Sequence, residues 1–410
     1  MNPLPGFRDF YPETLAVRRH IFAKWRDTAR RYGFREYDGP PLEPLELYTQ
    51  KSGDEIVTQL FNFVDKGDRS VALRPEMTPT LARMVGAHQR DYKKPIKWFA
   101  IPQLFRYEKQ QRGRLREHFQ FNADIIGETS VSADAELIAL AIDSLRAFGL
   151  TEQDFVVRVS DRRAWQRHLA EWGIADDRQY AAFQAIDKLE REPVEKTREK
   201  LAAAGLTPPR IDEALAIAEG QAQADAPELQ NALAALGGLA AYCKVDFKIV
   251  RGLAYYTGIV WEIHDRKGEL RAIAGGGRYD QLLKQLGGVD LPALGFGMGD
   301  VVLTELLKDR NLLPKPDWGL DCFVVMTEES LRPEALSLIH QLRDAGISVD
   351  YAFTETRVGK QFQAADAAGA RYALVVGPEE WKTGEVKLKN LGSGAEERVR
   401  TAEIKARLTR

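Results

Sequence analysis

The chain of 410 residues reads as an α+β protein with sheet-forming segments in its N-terminal part, a helical insertion, and a compact α/β domain at its C-terminal end. Three observations predict this. Residues 118–126 alternate almost completely, with Phe119, Phe121, Ala123 and Ile125 on one face and Gln120, Asn122 and Asp124 on the other, the period of a strand with one apolar face. From about Asp161 to Gly238 the chain turns rich in Ala, Glu, Gln, Lys and Arg, with leucines at helical spacing. From Asp321 onward, short apolar runs alternate with helical stretches, as in a largely parallel sheet.

The length leaves room for roughly two or three domains of about 150 residues each. A formal net charge of -2 excludes a global basic field, so any contact with nucleic acid rests on local patches. The two cysteines, Cys243 and Cys322, form neither a disulfide framework nor a metal-spaced cluster, and the six histidines are scattered without ligand spacing. No protein-held metal is expected. The first residues carry no basic-then-apolar leader and no apolar run is long enough to span a bilayer, so a cytoplasmic location without a membrane partner is expected.

In chain order, Pro12 to Tyr32 carries apolar residues at helical spacing and ends at Gly33, an exposed amphipathic helix. Pro40, Pro41 and Pro44 then mark a connection or an edge element. Leu60 to Leu73 reads as a hairpin around a Lys66-Gly67-Asp68 turn, and Thr78 to His88 as a helix. Strands are expected over Trp98–Phe105 and His118–Ile126. Between them lie Arg106, Glu108, Lys109, Arg112, Arg114 and Arg116 around Gly113, a basic loop placed to cup a polyanion. Within the insertion, Val194 to Leu201 and Pro227 to Leu239 have helical spacing.

Strands are expected again at Val245–Val250 and Gly258–Ile263. Between them, Arg251-Gly252-Leu253-Ala254-Tyr255-Tyr256-Thr257-Gly258 combines an arginine, two aromatics and two glycines. A guanidinium is charged at any working pH and its fork of donors fits carboxylate and phosphate oxygens. A structural ion pair for Arg251 explains the segment equally well. The triple glycine of Gly275-Gly276-Gly277-Arg278-Tyr279-Asp280 permits close backbone approach to a ligand, or makes a flexible turn.

Pro314-Lys315-Pro316 reads as a linker. Beyond it, strands are expected at Cys322–Met326, Ser348–Tyr351, Tyr372–Val376 and Val386–Asn390, with helices at Arg332–Ala345 and Gln361–Ala368.

Over nearly its whole length the chain resembles the histidyl-tRNA synthetases, class II aminoacyl-tRNA synthetases. The likeness is carried by Gly6-Phe7-Arg8-Asp9 with Pro12, by Tyr32-Gly33 through Pro40-Pro41-Leu42-Glu43 (like motif 1), and by Leu73-Arg74-Pro75-Glu76-Met77-Thr78. It continues in Phe105-Arg106-Tyr107-Glu108 through Phe119-Gln120 to Asp124 (like motif 2), in Arg251 to Gly258, in Gly275 to Asp280, and in Leu294-Gly295-Phe296-Gly297-Met298-Gly299 (like motif 3). Each block is short, but their order and spacing together are specific.

The resemblance implies a class II antiparallel sheet core flanked by helices, with a catalytic core over 1–160 and 244–314, a helical insertion over 161–243, and an α/β anticodon-binding domain over 317–410. It implies attachment of histidine to tRNA(His) through a histidyl-adenylate, with ATP and Mg²⁺, in a homodimer. Carried over, Arg106 and Arg251 would serve catalysis at the α-phosphate and contact the histidine carboxylate. Glu76, Met77, Thr78, Gln120, Asp124, Tyr255, Tyr256 and Tyr279 would bind histidine, and Glu108, Arg114 and His118 would hold ATP together with Arg106 and Arg251. Gln111 would meet the tRNA acceptor end.

Four positions depart from the family pattern. Val302 stands where motif 3 usually has an arginine, His118 where an aromatic stacks on adenine, Ala254 where aspartate is common, and Gln110-Gln111 where Pro-Gln is usual. A related regulatory subunit of ATP phosphoribosyltransferase is the main alternative. The segment Gly359 to Gly377 and the basic tail with Lys387, Lys389, Arg398 and Arg400 favour the enzyme.

Overall fold

Pro12 sits in the first turn of a helix, where its missing N–H costs nothing, with Glu13 beside it and Arg30 and Arg31 in the last turn to complement the helix dipole. This helix, α1 (Pro12–Arg31), is less exposed than its composition implies: Ile21, Trp25, Thr28 and Ala29 are buried as one stripe. The structure is a computed structural model and describes residues 1–49, 59–107, 113–222, 224–251, 255–314 and 319–408. The chain divides into two compact units, Met1–Pro314 and Lys315–Arg410.

After α1 come β1 (Arg35–Glu36), β2 (Leu42–Pro44), a short α2 (Glu46–Thr49), β3 (Asn62–Val64) and β4 (Ser70–Leu73). β2, β4 and β3 form a small antiparallel sheet in that order, and Pro44 falls on its edge strand, where no ladder donor is missed. The β3–β4 turn closes as expected, with Asp65 accepting from the N–H groups of Gly67 and Arg69. Next follow α3 (Thr78–His88), β5 (Ile96–Ala100), β6 (Gln103–Phe105), β7 (Glu117–Ile126), α4 (Val131–Arg146) and β8 (Phe155–Asp161). The single strand expected over Trp98–Phe105 is two strands, because Pro102 lacks the donor to continue the ladder; both pieces pair with β7.

The insertion is helical, with α5 (Arg162–Glu171), α6 (Asp176–Asp187), α7 (Val194–Ala203), α8 (Pro208–Ala218) and α9 (Pro227–Ala235). The chain re-enters the sheet through β9 (Cys243–Val245), β10 (Ile259–Asp265) and β11 (Ala274–Arg278), then α10 (Leu282–Gly287), β12 (Ala293–Gly299) and α11 (Asp300–Asp309). The strand expected over Val245–Val250 ends where it was to begin. Asp246 accepts from the Lys248 N–H and turns the chain. The triple glycine is neither loop nor flexible turn: Gly275, Gly276 and Gly277 lie inside β11.

Among the described residues the large sheet runs β1-β5-β7-β12-β11-β10-β8-β9, with β6 on β7. Its middle, from β5 to β8, is antiparallel, while the edge pairs β1–β5 and β8–β9 are parallel. The polar face of β7 is covered at its far end, since Asn122 and Asp124 are only 7% and 5% exposed. Trp25 stacks on Phe121 at 5.6 Å, and Phe296 meets the same ring edge-on at 5.4 Å, so α1, β7 and β12 share one core.

The second unit contains β13 (Cys322–Met326), α12 (Arg332–Asp344), β14 (Val349–Tyr351), α13 (Val358–Ala367), β15 (Tyr372–Val376), α14 (Pro378–Lys382), β16 (Glu385–Asn390), β17 (Glu396–Arg400) and α15 (Ile404–Leu408). Its sheet runs β14-β13-β15-β16-β17, parallel over the first three strands and antiparallel over the rest. Every residue of β13 is buried, as a strand covered on both faces requires. Gln361 of α13 accepts from the Met326 N–H at 2.9 Å and donates to the Met326 carbonyl at 2.8 Å, satisfying the strand end. The basic tail is a paired hairpin, not a loose cationic strip: Lys387 and Arg398 meet Glu380, and Lys389 meets Glu396.

Candidate active site

β7 crosses the middle of the large sheet and carries His118, Gln120 and Asp124 on alternate positions. A side chain on that face needs room above the neighbouring strand, and the glycines of β12 provide it. A Cβ on Gly297 would stand 2.6 Å from Gln120 Cδ, and one on Gly295 would overlap the Asp124 carboxylate. The motif 3 glycines therefore make space for motif 2 side chains.

Asp124 accepts a very short hydrogen bond from the Tyr279 hydroxyl. Burial pushes its carboxyl up to about 7, while the Tyr279 hydrogen bond works in the opposite direction. Tyr255 donates to Glu76 Oε2 at 3.5 Å and packs 5.8 Å from the Tyr279 ring and 5.0 Å from Tyr256. Burial also raises the Glu76 carboxyl, against the pull of Arg106 and Tyr255. Glu76, Asp124, Tyr256 and Tyr279, all buried, thus form one polar cluster with the half-buried Tyr255. Thr78 begins α3 beside it; the Met77 side chain is buried, with its sulfur 3.8 Å from Arg74.

Next to this cluster opens a cleft of about 1070 Å³, and Arg106, Arg114, His118, Gln120 and Arg251 line it together. Arg106 is steadied by donation from Nε to the Pro75 carbonyl at 3.0 Å. Burial, reinforced by the positive charges of Arg106, Arg8 and Arg114, pushes His118 down to about 3, so its ring is neutral. Glu108 and Gln111, expected at the adenine and the acceptor end, lie outside the described residues, as do Ala254 and Gln110.

Arg251 has a backbone φ of +59°, a left-handed conformation that costs a non-glycine residue on the order of 1–3 kcal/mol. It turns the side chain over β11, where a Cβ on Gly275 would stand 2.8 Å from the guanidinium carbon. Opposite Gly275 in the ladder is Glu262, which accepts a short hydrogen bond from Arg251 and meets His264 Nε2 at 3.0 Å. Burial opposes the Glu262 charge, but Arg251 and His264 hold its carboxyl down at about 2. The ion pair, left open by the sequence, is present inside the cleft itself.

Sequence reasoning missed Glu262 and His264, whose only signal was alternation along β10. It also missed why Arg8 stands in the N-terminal block. Arg8 donates to Glu117 at 2.6 Å and to Asp300 at 3.0 Å, and Asp300 also accepts from the Phe119 N–H at 2.9 Å. Asp300 therefore joins the chain start, β7 and α11 beneath the cleft. Val302, in the first turn of α11, is 7% exposed and packs against the core.

An antiparallel sheet floored by glycines, with arginines over a nucleotide-sized cleft and a buried polar pocket at one end, is the architecture of a class II aminoacyl-tRNA synthetase. A family model described as histidyl-tRNA synthetase matches residues 6–300, and one described as an anticodon binding domain matches residues 321–410. The chain belongs to the histidyl-tRNA synthetase family.

It is 48% identical to the histidine–tRNA ligase of Opitutus terrae, over 98% of this chain and 97% of that one. It is 40% identical to the chloroplastic/mitochondrial histidine–tRNA ligase of Arabidopsis thaliana, over 98% of this chain and 86% of the relative. In fold it is similar to the crystal structure of histidyl-tRNA synthetase from Nostoc sp., with a TM-score of 0.80 at 24% identity, covering 99% and 98% of the two chains.

Proposed function

We propose that this chain attaches histidine to tRNA(His), using ATP to form a histidyl-adenylate first. The observation that carries this reading is the junction of two environments on one sheet: the buried Glu76, Asp124 and tyrosine cluster, and the arginine-lined cleft beside it. The cluster suits a small zwitterion with a polar ring. Glu76 takes the ammonium, and Asp124 with the Tyr279 hydroxyl reads the imidazole nitrogens. A site that pairs buried polar groups with its substrate rejects apolar analogues strongly, because they leave those groups unpaired.

In the first step a histidine carboxylate oxygen attacks the α-phosphorus of ATP, the bond to the β-phosphate bridging oxygen breaks, and pyrophosphate leaves. In the second, a hydroxyl of the terminal ribose of the tRNA attacks the carbonyl carbon and AMP leaves. Neither step needs a protein nucleophile; positioning and fixed charge do the work. Arg106 and Arg251 supply that charge at the α-phosphate, and Arg114 and His118 hold the nucleotide. Glu262 holds the Arg251 guanidinium over Gly275.

Among the described residues no three His, Cys, Asp or Glu side chains come together as a metal site, and Glu262 is engaged by Arg251 and His264. Mg²⁺ enters with the nucleotide substrate, held through its phosphate oxygens as this ion prefers. Residues 161–243 serve as a helical insertion to the core formed by 1–160 and 244–314, and 317–410 as the anticodon-binding domain. The protein acts as a homodimer in the cytoplasm. No helix among the described residues is long and apolar enough to cross a membrane. The test is charging of tRNA(His) with labelled histidine: histidine-specific, ATP-dependent transfer supports the reading, and none from intact protein sinks it.

A further inference from the structure

β12 pairs with β7 only from Gln120 onward, opposite Gly299, so along its first residues β7 has β6 on one side and the chain start on the other. Backbone donors on that second side find other acceptors. Arg116 and Glu117 donate to the Gly6 carbonyl at 3.0 and 3.3 Å, and Phe119 donates to Asp300 Oδ1 at 2.9 Å. Arg8 joins these contacts, donating from Nε to Glu117 Oε1 at 2.6 Å and from Nη1 to Asp300 Oδ2 at 3.0 Å. Glu117, only 1% exposed, also accepts from Gln103 Nε2 at 3.0 Å.

The other face of the strand start is held by rings. Phe119 meets Phe10 at 6.1 Å and Phe22 at 5.2 Å, and the Arg18 guanidinium lies 4.7 Å from the centre of the Phe119 ring and 4.1 Å from that of Phe10. The residues on both sides of His118 are thereby fixed, and in a strand the direction of a side chain follows from its backbone. Of Glu117, His118 and Phe119, it is His118 that lines the cleft.

We propose that Arg8 and Asp300 are positioning residues that aim the His118 ring at the adenine of the nucleotide. The assignment rests on the reading of the cleft as the ATP site with His118 against the base. A neutral, flat ring serves a base by stacking, and a stack is lost when the ring tilts. A guanidinium fork that donates at once to carboxylates on β7 and α11 fixes the separation of the two, which the single point of an ammonium cannot do. The N-terminal segment thus sets the geometry of a nucleotide contact from beneath the cleft.

The test is calorimetric titration of the full chain with ATP, AMP, pyrophosphate and histidine, comparing wild type with Arg8→Gln, Arg8→Lys, His118→Ala and the Arg8→Gln, His118→Ala double variant. His118→Ala should weaken ATP and AMP by about ten- to hundredfold, the scale of one base–aromatic stack. Arg8→Gln should weaken both by about tenfold, with pyrophosphate and histidine affinities unchanged, and Arg8→Lys should keep part of that loss from appearing. Once His118 is removed, Arg8→Gln should change ATP affinity by less than about twofold, because its effect passes through the ring. Asp300→Asn, which keeps an acceptor for the Phe119 N–H, should give the same pattern in smaller measure and carries the test if Arg8→Gln does not fold. Wild-type ATP affinity in Arg8→Gln, a loss of histidine binding equal to that of ATP, or an undiminished effect in the His118→Ala background overturns the assignment. His118→Ala protein that binds ATP and AMP as wild type does removes the ring from the nucleotide site, a failure of the underlying reading visible before Arg8 is changed.

Discussion

The Arg251 guanidinium is hydrogen-bonded to the Glu262 carboxylate across the space cleared by Gly275. An arginine so held keeps its charge at a fixed point without reorganising during reaction, the condition under which electrostatic stabilisation is most effective. Arg251→Ala should reduce histidine-dependent exchange between ATP and pyrophosphate by about 10²–10³-fold, the scale of losing one preorganised donor. Glu262→Gln should cause a smaller loss, since it loosens the guanidinium without removing it. Steady-state and exchange kinetics check this, and near-normal turnover in Arg251→Ala would reduce the pair to a structural tie.

The Asp124 carboxylate occupies the place a Gly295 side chain would fill. Gly295→Ala should therefore push Asp124 away from Tyr279 and weaken histidine binding while sparing ATP. Asp124→Asn should do the same by removing the charge and one acceptor. Equilibrium binding of each substrate separates the cases, and equal losses for histidine and ATP would point to misfolding.

The titration of Asp124 has a definite sign. Its folded carboxyl, pushed up to about 7, keeps its proton where the unfolded chain has released it, so this group lowers ligand-free stability as pH rises from about 4 to about 7, with no further change above. His118 acts oppositely: pushed down to about 3, it stays neutral in the fold, and its contribution is lost as pH falls below about 6.5. The two partly cancel, so the useful quantity is the difference between Asp124→Asn and wild type. Urea denaturation at several pH values should show the variant gaining relative stability up to about pH 7. A pH-independent difference contradicts the burial argument.

Arg278 and Asp134 form a pair at 2.5 Å with side chains 4% and 2% exposed, and Arg278 also donates to the Glu128 carbonyl at 2.8 Å. Removing one partner strands a buried charge, so Asp134→Ala should cost about 3–5 kcal/mol. Since Tyr279 follows Arg278 at the end of β11, histidine affinity should fall in the same variant. Denaturation midpoints and histidine titration test both, and a change under about 1 kcal/mol would show that water reaches the pair.

Much of this fold was legible because its signals are local. The alternation of β7, the Pro12 start of α1, the hairpin turn at Gly67 and the strand–helix rhythm after Asp321 are each dictated by neighbouring residues. What was not legible depends on partners distant in sequence. Nothing local says that Asn122 and Asp124, on the polar face of β7, are covered; β12 and Tyr279 close over Asp124 from far along the chain. Gly275 to Gly277 look like a turn because nothing local says that Arg251, Phe296 and the Ile259 carbonyl crowd the strand. The Val245–Val250 run has strand composition, but Asp246 caps a turn within it. The site residues were found as a set through the order of several blocks, whereas Glu262, His264 and the Arg8–Asp300 tie needed the three-dimensional register.

The most direct test of the central claim is ATP–pyrophosphate exchange measured with each of the twenty amino acids in turn. Exchange that depends on histidine and fails with the others, and that falls in Asp124→Asn and Arg251→Ala, is the predicted result. Exchange with a different amino acid, or none with histidine in intact, Mg²⁺-supplied protein, would contradict it.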